Sequence, residues 1–218
     1  MKDAIDAILR PEQAAYLDAL EPPRDALLAR MEKLAKDRGL PISDPEVASF
    51  LAITAGARAP KLIVELGTNI GYGAIVMARA AGPLAKVITV ELSKEHAATA
   101  RGFIEEAGLS SRIEVVEGKA IAVLERISGP IDMAYVDCVK EEYPRYLELL
   151  VPRLGERGVL VADNVMWRGH VARPEFAGAE APRAKALGAF NEALVRHPEL
   201  RGLILPLGDG VAYAVRLA

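Results

Sequence analysis

The chain has 218 residues, 51% hydrophobic and 26% charged, a balance that excludes disordered, collagen-like and coiled-coil classes and suits one domain with its own core. Lysine and arginine number 27 against 30 aspartates and glutamates, a formal charge of −3, so the basic excess of a nucleic-acid binder is missing. The opening MKDAIDAILRPEQ carries no signal-peptide core, and no apolar run reaches the ~20 residues of a membrane span. One cysteine, Cys138, permits no internal disulfide, which fits a reducing, cytoplasmic setting.

Residues 1–57 read as helical. Apolar residues recur at helical spacing in DAILRPEQAAYLDAL and in RDALLARMEKLAKDRGL, with Pro22-Pro23 as a break and Gly39 and Pro41 as a stop. A third helix is predicted from Ser43 or Asp44, with Pro45 in its first turn, running to Ala57. From residue 61 short β-branched runs alternate with helix-length segments. KLIVELG, KVITVEL, RIEVVEG, IDMAYVD and GVLVADN read as strands; IGYGAIVMARAAG, KEHAATARGFIEEAGL, about 119–128 and 141–154 read as helices. Such alternation predicts parallel crossovers in a doubly wound α/β sheet. The segment 165–183, with glycines, prolines, Trp167 and several arginines, reads as a long loop, either functional or disordered. LRGLILPL and VAYAVRLA, joined by GDG, read as an antiparallel hairpin, so the sheet is expected to end in one reversed strand.

In open α/β sheets ligands bind beyond the carboxyl ends of the strands. Those ends present Glu65 to Gly73, Glu91, Gly118 to Ala120, Asp137 to Lys140 and Asp163-Asn164. The turn Glu65-Leu66-Gly67-Thr68-Asn69-Ile70-Gly71-Tyr72-Gly73 spaces its glycines G-x-x-x-G-x-G, unlike the dinucleotide G-x-G-x-x-G, and no Gly-Lys-Ser/Thr follows as in a P-loop. An acid at its start favours a ligand with an amine or a cationic centre, although a tight turn alone explains the glycines equally well. Glu91 sits one βα unit later, where a carboxylate can accept ribose hydroxyls; the alternative is a cap for the next helix. Asp137, Asp163 and Asn164 offer hard oxygens of the kind Mg²⁺ or Ca²⁺ prefers, or else simply turn the chain. Lys140, three residues beyond Asp137, is either a surface charge or a general base, and a cation beside it is the condition under which a lysine takes up a proton near neutral pH.

Taken in order, the motifs VELGTNIGYG, ITVEL, VEGKA, DMAYVDCVKEEY, LVADNVMWRGHV and LPLGDGVAYAVR resemble the cation-dependent O-methyltransferases that use S-adenosylmethionine, the group containing catechol and caffeoyl-coenzyme A methyltransferases. The resemblance spans about residues 41–218 and implies a Rossmann-like seven-stranded sheet, mostly parallel with one reversed strand. It implies one methyltransferase domain over 1–218, with 1–57 a helical segment and 58–218 the cofactor-binding core. Glu65, Gly67, Gly71 and Tyr72 would surround the methionine part of the cofactor, Glu91 the ribose and Ala120 the adenine. Ser43, Thr68, Gly73, Leu92, Gly118 and Asp137 complete the implied cofactor set. Asp137, Asp163 and Asn164 fall on the family's metal ligands and Lys140 on its proton-accepting lysine, with Asp137 beside it in the catalytic pair. Lys140, Asn164, Trp167 and Arg168 fall on the acceptor side. Two departures stand out. Gly73 replaces a frequent serine, and Cys138-Val139 replace the Ala-Asp of a frequent Asp-Ala-Asp-Lys, which points away from a plant-type acyl-coenzyme A acceptor.

The implied activity is transfer of a methyl group to a catechol-like hydroxyl with Mg²⁺ or another divalent ion, in a homodimer acting on a small phenolic molecule rather than on nucleic acid or a membrane. In-line displacement on a sulfonium needs an anionic, aimed oxygen, which a chelating cation and a nearby base can provide. An NAD-dependent oxidoreductase and a non-catalytic nucleoside-binding module of the same fold are the alternatives.

Overall fold

The computed structural model describes residues 10–173 and 175–218. Seven strands among them, β1 (Leu62–Leu66), β2 (Lys86–Glu91), β3 (Ile113–Glu117), β4 (Ile131–Val136), β5 (Leu154–Ala162), β6 (Leu200–Leu205) and β7 (Val211–Arg216), alternate with helices as the sequence predicts. Their order is β3-β2-β1-β4-β5-β7-β6, a mostly parallel α/β sheet. The chain forms two compact units, Glu21–Ile127, and Ser128–Ala218 together with the segment ending at Leu20. Among the described residues no helix is long and apolar enough to cross a membrane.

In the unit Glu21–Ile127, α2 (Ala26–Arg38) starts where the Asp25 carboxylate accepts from the amides of Leu27 and Leu28, and it stops where Gly39 turns left-handed. Its buried face, Leu27, Met31 and Ala35, follows the helical repeat. Helix α3 (Pro45–Arg58) has proline in its first turn and ends at left-handed Ala59, just before Pro60. It packs on α4 (Tyr72–Ala80), and α5 (Lys94–Glu106) covers β3. β1, β2 and β3 pair in parallel, with Val64 opposite Ile88 and Val87 opposite Ile113. Ile63, Val64 and Leu66 are fully buried, each contributing roughly 1.5–3 kcal/mol of apolar stabilisation. The helix expected over 119–128 is only α6 (Ala120–Leu124), because Arg126 and Ile127 donate to Val123 and Leu124 in turn geometry before Ser128-Gly129-Pro130.

The other unit contains α1 (Pro11–Leu20), α7 (Tyr143–Leu150) and α8 (Ala181–Arg196). The part of the expected first helix that precedes Arg10 lies outside the described residues. The helix predicted over 141–154 ends earlier, and β5 begins at Leu154 rather than 158. Leu154 pairs with Ile131 and Val159 with Met133, so Gly155-Glu156-Arg157-Gly158 bulge outward, with Arg157 left-handed at φ 57°. That bulge carries turn residues inside a strand and hides its start. Helix α8 has no counterpart among the predicted elements, and its first residues replace the end of the expected 165–183 loop. Its buried stripe, Ala184, Leu187, Phe190 and Leu194, packs on β6 and α7. The Phe190 ring meets Tyr143 edge-on at 5.3 Å. The hairpin joins β6 and β7 antiparallel as predicted, but the reversed strand is not at the margin: β7 pairs with both β5 and β6, and β6 takes the edge.

Candidate active site

One set of candidate residues belongs to the unit Glu21–Ile127. β1 leaves Glu65 almost wholly buried, and the turn after it runs through Gly67 (φ 103°), Asn69 (φ 46°) and Gly71 (φ 89°) into α4. A Cβ on Gly71 would lie 3.3 Å from that of Ala100, so glycine is needed there for both conformation and space. The Thr89 hydroxyl donates to Glu65 and is shared with that of Thr68, which joins the ends of β1 and β2. Glu91 accepts from the Asn69 amide through Oε2 and from the Ser93 amide through Oε1, both at 2.8 Å. The helix cap of α5 is Ser93, whose hydroxyl oxygen accepts from the His96 amide, so Glu91 is not that cap. Each of its oxygens still has a lone pair for a ligand hydroxyl.

Asn69 carries no role in the sequence reading, yet it bears the clearest ligand signal in this unit. Its Nδ2 donates to the Pro41 carbonyl at 2.5 Å, while its buried Oδ1 has no hydrogen-bond partner. The signal available in the sequence was an asparagine among glycines, a residue that tolerates the left-handed region. Ser43 is 8% exposed, Leu92 is exposed, Gly73 is buried in the first turn of α4, Gly118 follows β3 and Ala120 opens α6. Tyr72 is buried with its hydroxyl donating to Glu32 on α2, and desolvation, with Glu32 adding to it, raises its pKa. The open backbone at Gly67, the remaining lone pairs of Glu91 and the unpartnered Asn69 Oδ1 fit a nucleoside-bearing cofactor.

A second set of candidate residues belongs to the other unit. Val136 of β4 pairs with Ala162 of β5, so Asp137 and Asp163 leave neighbouring parallel strands in step, and the Asp163 amide donates to the Val136 carbonyl at 3.0 Å. The Asp163 side chain accepts from the Asn164 amide at 2.6 Å and from the Tyr135 hydroxyl at 3.4 Å. Lys140, 7% exposed, donates to Asp137 Oδ1 and to the Tyr143 hydroxyl, each at 2.7 Å, with the Asp163 carbonyl at 3.5 Å. Tyr143 is fully buried, and desolvation, with Asp137 adding to it, pushes its pKa well up. Its hydroxyl hydrogen therefore stays on, facing the carbonyls of Asp163 (2.9 Å) and Val136 (3.1 Å). Lys140 is thus no solvated surface charge.

Among the described residues no group of three His, Cys, Asp or Glu stands together. A cation here would have two carboxylates, Asp137 and Asp163, and the amide oxygen of Asn164, whose backbone is left-handed at φ 56°. Such a hard-oxygen set with net negative charge fits Mg²⁺ or Ca²⁺ rather than Zn²⁺. Further along, the Trp167 indole donates to Glu180 at 2.9 Å, and Arg183 pairs with Glu180 at 3.0 Å while its guanidinium lies 5.7 Å from the Trp167 ring centre. Arg183 and Trp167 hold the Glu180 carboxyl below its ordinary range. Arg168 is exposed.

Residues 26–217 match the family model described as O-methyltransferase. The chain is 36% identical over 203 residues to a catechol O-methyltransferase of Niastella koreensis, covering 88% of this chain and 90% of that protein. It is 35% identical over 196 residues to a catechol O-methyltransferase of Mycobacterium tuberculosis, covering 87% and 86%. Among solved structures, the O-methyltransferase of Bacillus cereus in complex with SAH superposes with a TM-score of 0.84 at 27% identity, over 94% of this chain and 97% of that one. A glycine turn with open acceptor atoms in one unit, hard oxygens around a buried lysine in the other, and a family match over nearly the whole chain agree: this chain belongs to the O-methyltransferase family.

Proposed function

We propose that this chain uses S-adenosylmethionine and a divalent cation to methylate one hydroxyl of an ortho-dihydroxy aromatic molecule. The observation that carries the reading is the pair of carboxylates leaving β4 and β5 in step, with a buried lysine hydrogen-bonded to one of them. SAH, present in the Bacillus cereus structure, is what remains when S-adenosylmethionine has given up its methyl group, which supports the cofactor. The names of the two catechol O-methyltransferases support the acceptor class.

In this reading S-adenosylmethionine supplies a methyl group on a sulfonium, open to in-line attack by an oxygen anion. A divalent cation held by Asp137, Asp163 and Asn164 would supply Lewis-acid polarisation of a chelated hydroxyl and draw on the carboxylate that otherwise pairs with the Lys140 ammonium. Glu91 and Asn69 Oδ1 accept from cofactor hydroxyls or its amine, and the backbone at Gly67 allows close approach. Lys140 Nζ, once its ammonium has released a proton to solvent, is the atom that takes up the acceptor's proton, held in place by Asp137 and the Tyr143 hydroxyl. Trp167, steadied by Glu180, gives the aromatic acceptor an apolar face. The assembly is a homodimer, for which light scattering is the test.

The deciding experiment offers catechol and related ortho-dihydroxy aromatics with methyl-labelled S-adenosylmethionine, after EDTA treatment and after Mg²⁺ is added back. Labelled product that vanishes with EDTA and returns with Mg²⁺ is expected. Undiminished transfer in EDTA removes the metal, and no transfer to any ortho-dihydroxy acceptor removes the substrate class.

A further inference from the structure

The hairpin turn Gly208-Asp209-Gly210 does more than reverse the chain. Its backbone docks on the segment that follows β5, with the Val165 amide donating to the Gly210 carbonyl and the Met166 amide to the Asp209 carbonyl, both at 3.0 Å. The fit leaves no room for a side chain at 210: a Cβ on Gly210 (φ +84°) would collide with Met166 Cγ and lie 3.1 Å from the Met166 amide. The Asp209 carboxylate also reaches out of its own hairpin. Its Oδ1 accepts from the Arg168 amide at 2.7 Å, across 41 residues of sequence.

The segment gripped in this way is held in a conformation that L side chains seldom adopt. Asn164 (φ 56°), Trp167 (φ 45°) and Arg168 (φ 55°) are all left-handed, three non-glycine residues within five positions, and Gly169 (φ 76°) continues the run. Such backbone persists only where its surroundings over-determine it. Here the Trp167 amide donates to the Asn164 carbonyl at 3.3 Å and the His170 amide to the Trp167 carbonyl at 2.9 Å, while Asn191 Nδ2 on α8 holds the Val165 carbonyl at 2.9 Å. At Arg168 the Asp209 carboxylate anchors the backbone amide, and a hydrogen bond to an ionised acceptor is about twice as strong as a neutral one.

We propose that Asp209 is a positioning residue for methyl transfer: by fixing the Arg168 amide it keeps the left-handed Asn164–Arg168 segment in place, and with it the Asn164 oxygen and the Trp167 ring. This inference rests on the function proposed above, in which Asn164 and Trp167 face the acceptor side. In this proposal Asp209 acts through the Arg168 amide and not on the acceptor or the cofactor.

The test compares the wild type with Asp209→Ala and Asp209→Asn; asparagine keeps an acceptor oxygen at Oδ1. Trp167 is the only tryptophan, so emission excited beyond the tyrosine absorption band reports on this segment alone. Asp209→Ala is expected to lower kcat/KM for catechol by at least about tenfold, the loss of one charge-assisted hydrogen bond. Its Trp167 emission should move to the red and be quenched more by acrylamide. The Kd for S-adenosylmethionine, read by calorimetry, should stay within about twofold, since Gly67, Asn69 and Glu91 belong to the other compact unit. Asp209→Asn should restore emission and keep kcat/KM within about threefold of wild type. An Asp209→Ala protein with wild-type emission overturns the proposal whether or not turnover is seen. So does one that loses cofactor affinity as steeply as turnover, because that marks a general loss of fold. Absence of transfer by the wild type instead defeats the proposed function, and the emission of the two variants still decides whether Asp209 holds the segment.

Discussion

Removing the charge of Asp137 strands a lysine that water hardly reaches. The Lys140 side chain is 8% exposed and that of Asp137 23%, with 2.7 Å between ammonium and carboxylate. Breaking a fully buried pair from one side costs about 3–5 kcal/mol. Partial hydration at Asp137 and the Tyr143 hydroxyl still 2.7 Å from Nζ reduce this, and Asp137→Asn is expected to cost roughly 2–3 kcal/mol. For a chain of this size that lowers Tm by about 4–12 °C. Lys140→Met deletes the ammonium, keeps an apolar stem and leaves a carboxylate with some access to water, so it should cost only ~1 kcal/mol. The double variant should then be more stable than the sum of the single changes by roughly 1–2 kcal/mol, because each change removes the penalty created by the other. Urea unfolding of the four proteins in EDTA measures this cycle, and all three variants should lack methyl transfer. Additivity within ~0.3 kcal/mol would show that the pair is not coupled and refute the reasoning.

Gly71→Ala forces a left-handed alanine against Ala100, so a Tm loss of about 2–6 °C and weaker S-adenosylmethionine binding by calorimetry are expected; unchanged affinity would separate this turn from the cofactor. The Asp25 carboxyl lies below its ordinary range chiefly because the Leu28 amide donates to it, with Arg79 adding attraction. A depressed carboxylate contributes stability that is present above the unfolded value of about pH 4 and is lost as pH falls through the folded one. The stability gap between wild type and Asp25→Asn should therefore shrink on acidification below about pH 4, and parallel unfolding curves down to about pH 2 would contradict it. Burial pushes the Cys138 thiol up to about 11, with the neighbouring Tyr146 working against it. At pH 8 its thiolate is then roughly one part in a thousand, so iodoacetamide should label the native protein slowly and about tenfold faster per pH unit, and rapid labelling at pH 7 would refute this.

Much of the framework is legible in the chain because it depends on each residue and its near neighbours. Gly39 past the end of α2, Pro45 at the start of α3 and GDG between β6 and β7 act through local φ preferences, and the β-branched runs of β1 to β4 show their burial in their composition. The stripe of α8 was equally visible at spacings of three and four, but the glycines, prolines and arginines just before it read as a continuing loop. The strand ends likewise exposed Glu65, Glu91, Asp137 and Asp163 as residues that sheet packing does not ask for.

Tertiary structure decided what those residues do with one another. Glu91 stood between two roles in the sequence; in the fold it ties the Asn69 and Ser93 amides together, while Ser93 caps the helix. Lys140 read as a surface charge or a base, and only packing around Tyr143 buries it against Asp137. The start of β5, hidden by its bulge, depends on pairing with β4, and the place of β7 between β5 and β6 depends on which edges remain to be paired. Asp209 and Arg168 meet across 41 residues. Backbone preference is set within a few residues of the chain, whereas contacts of this length exist only once the intervening elements have packed, which is why the sequence alone determined the elements and their strand-end acids and left their partnerships to the fold.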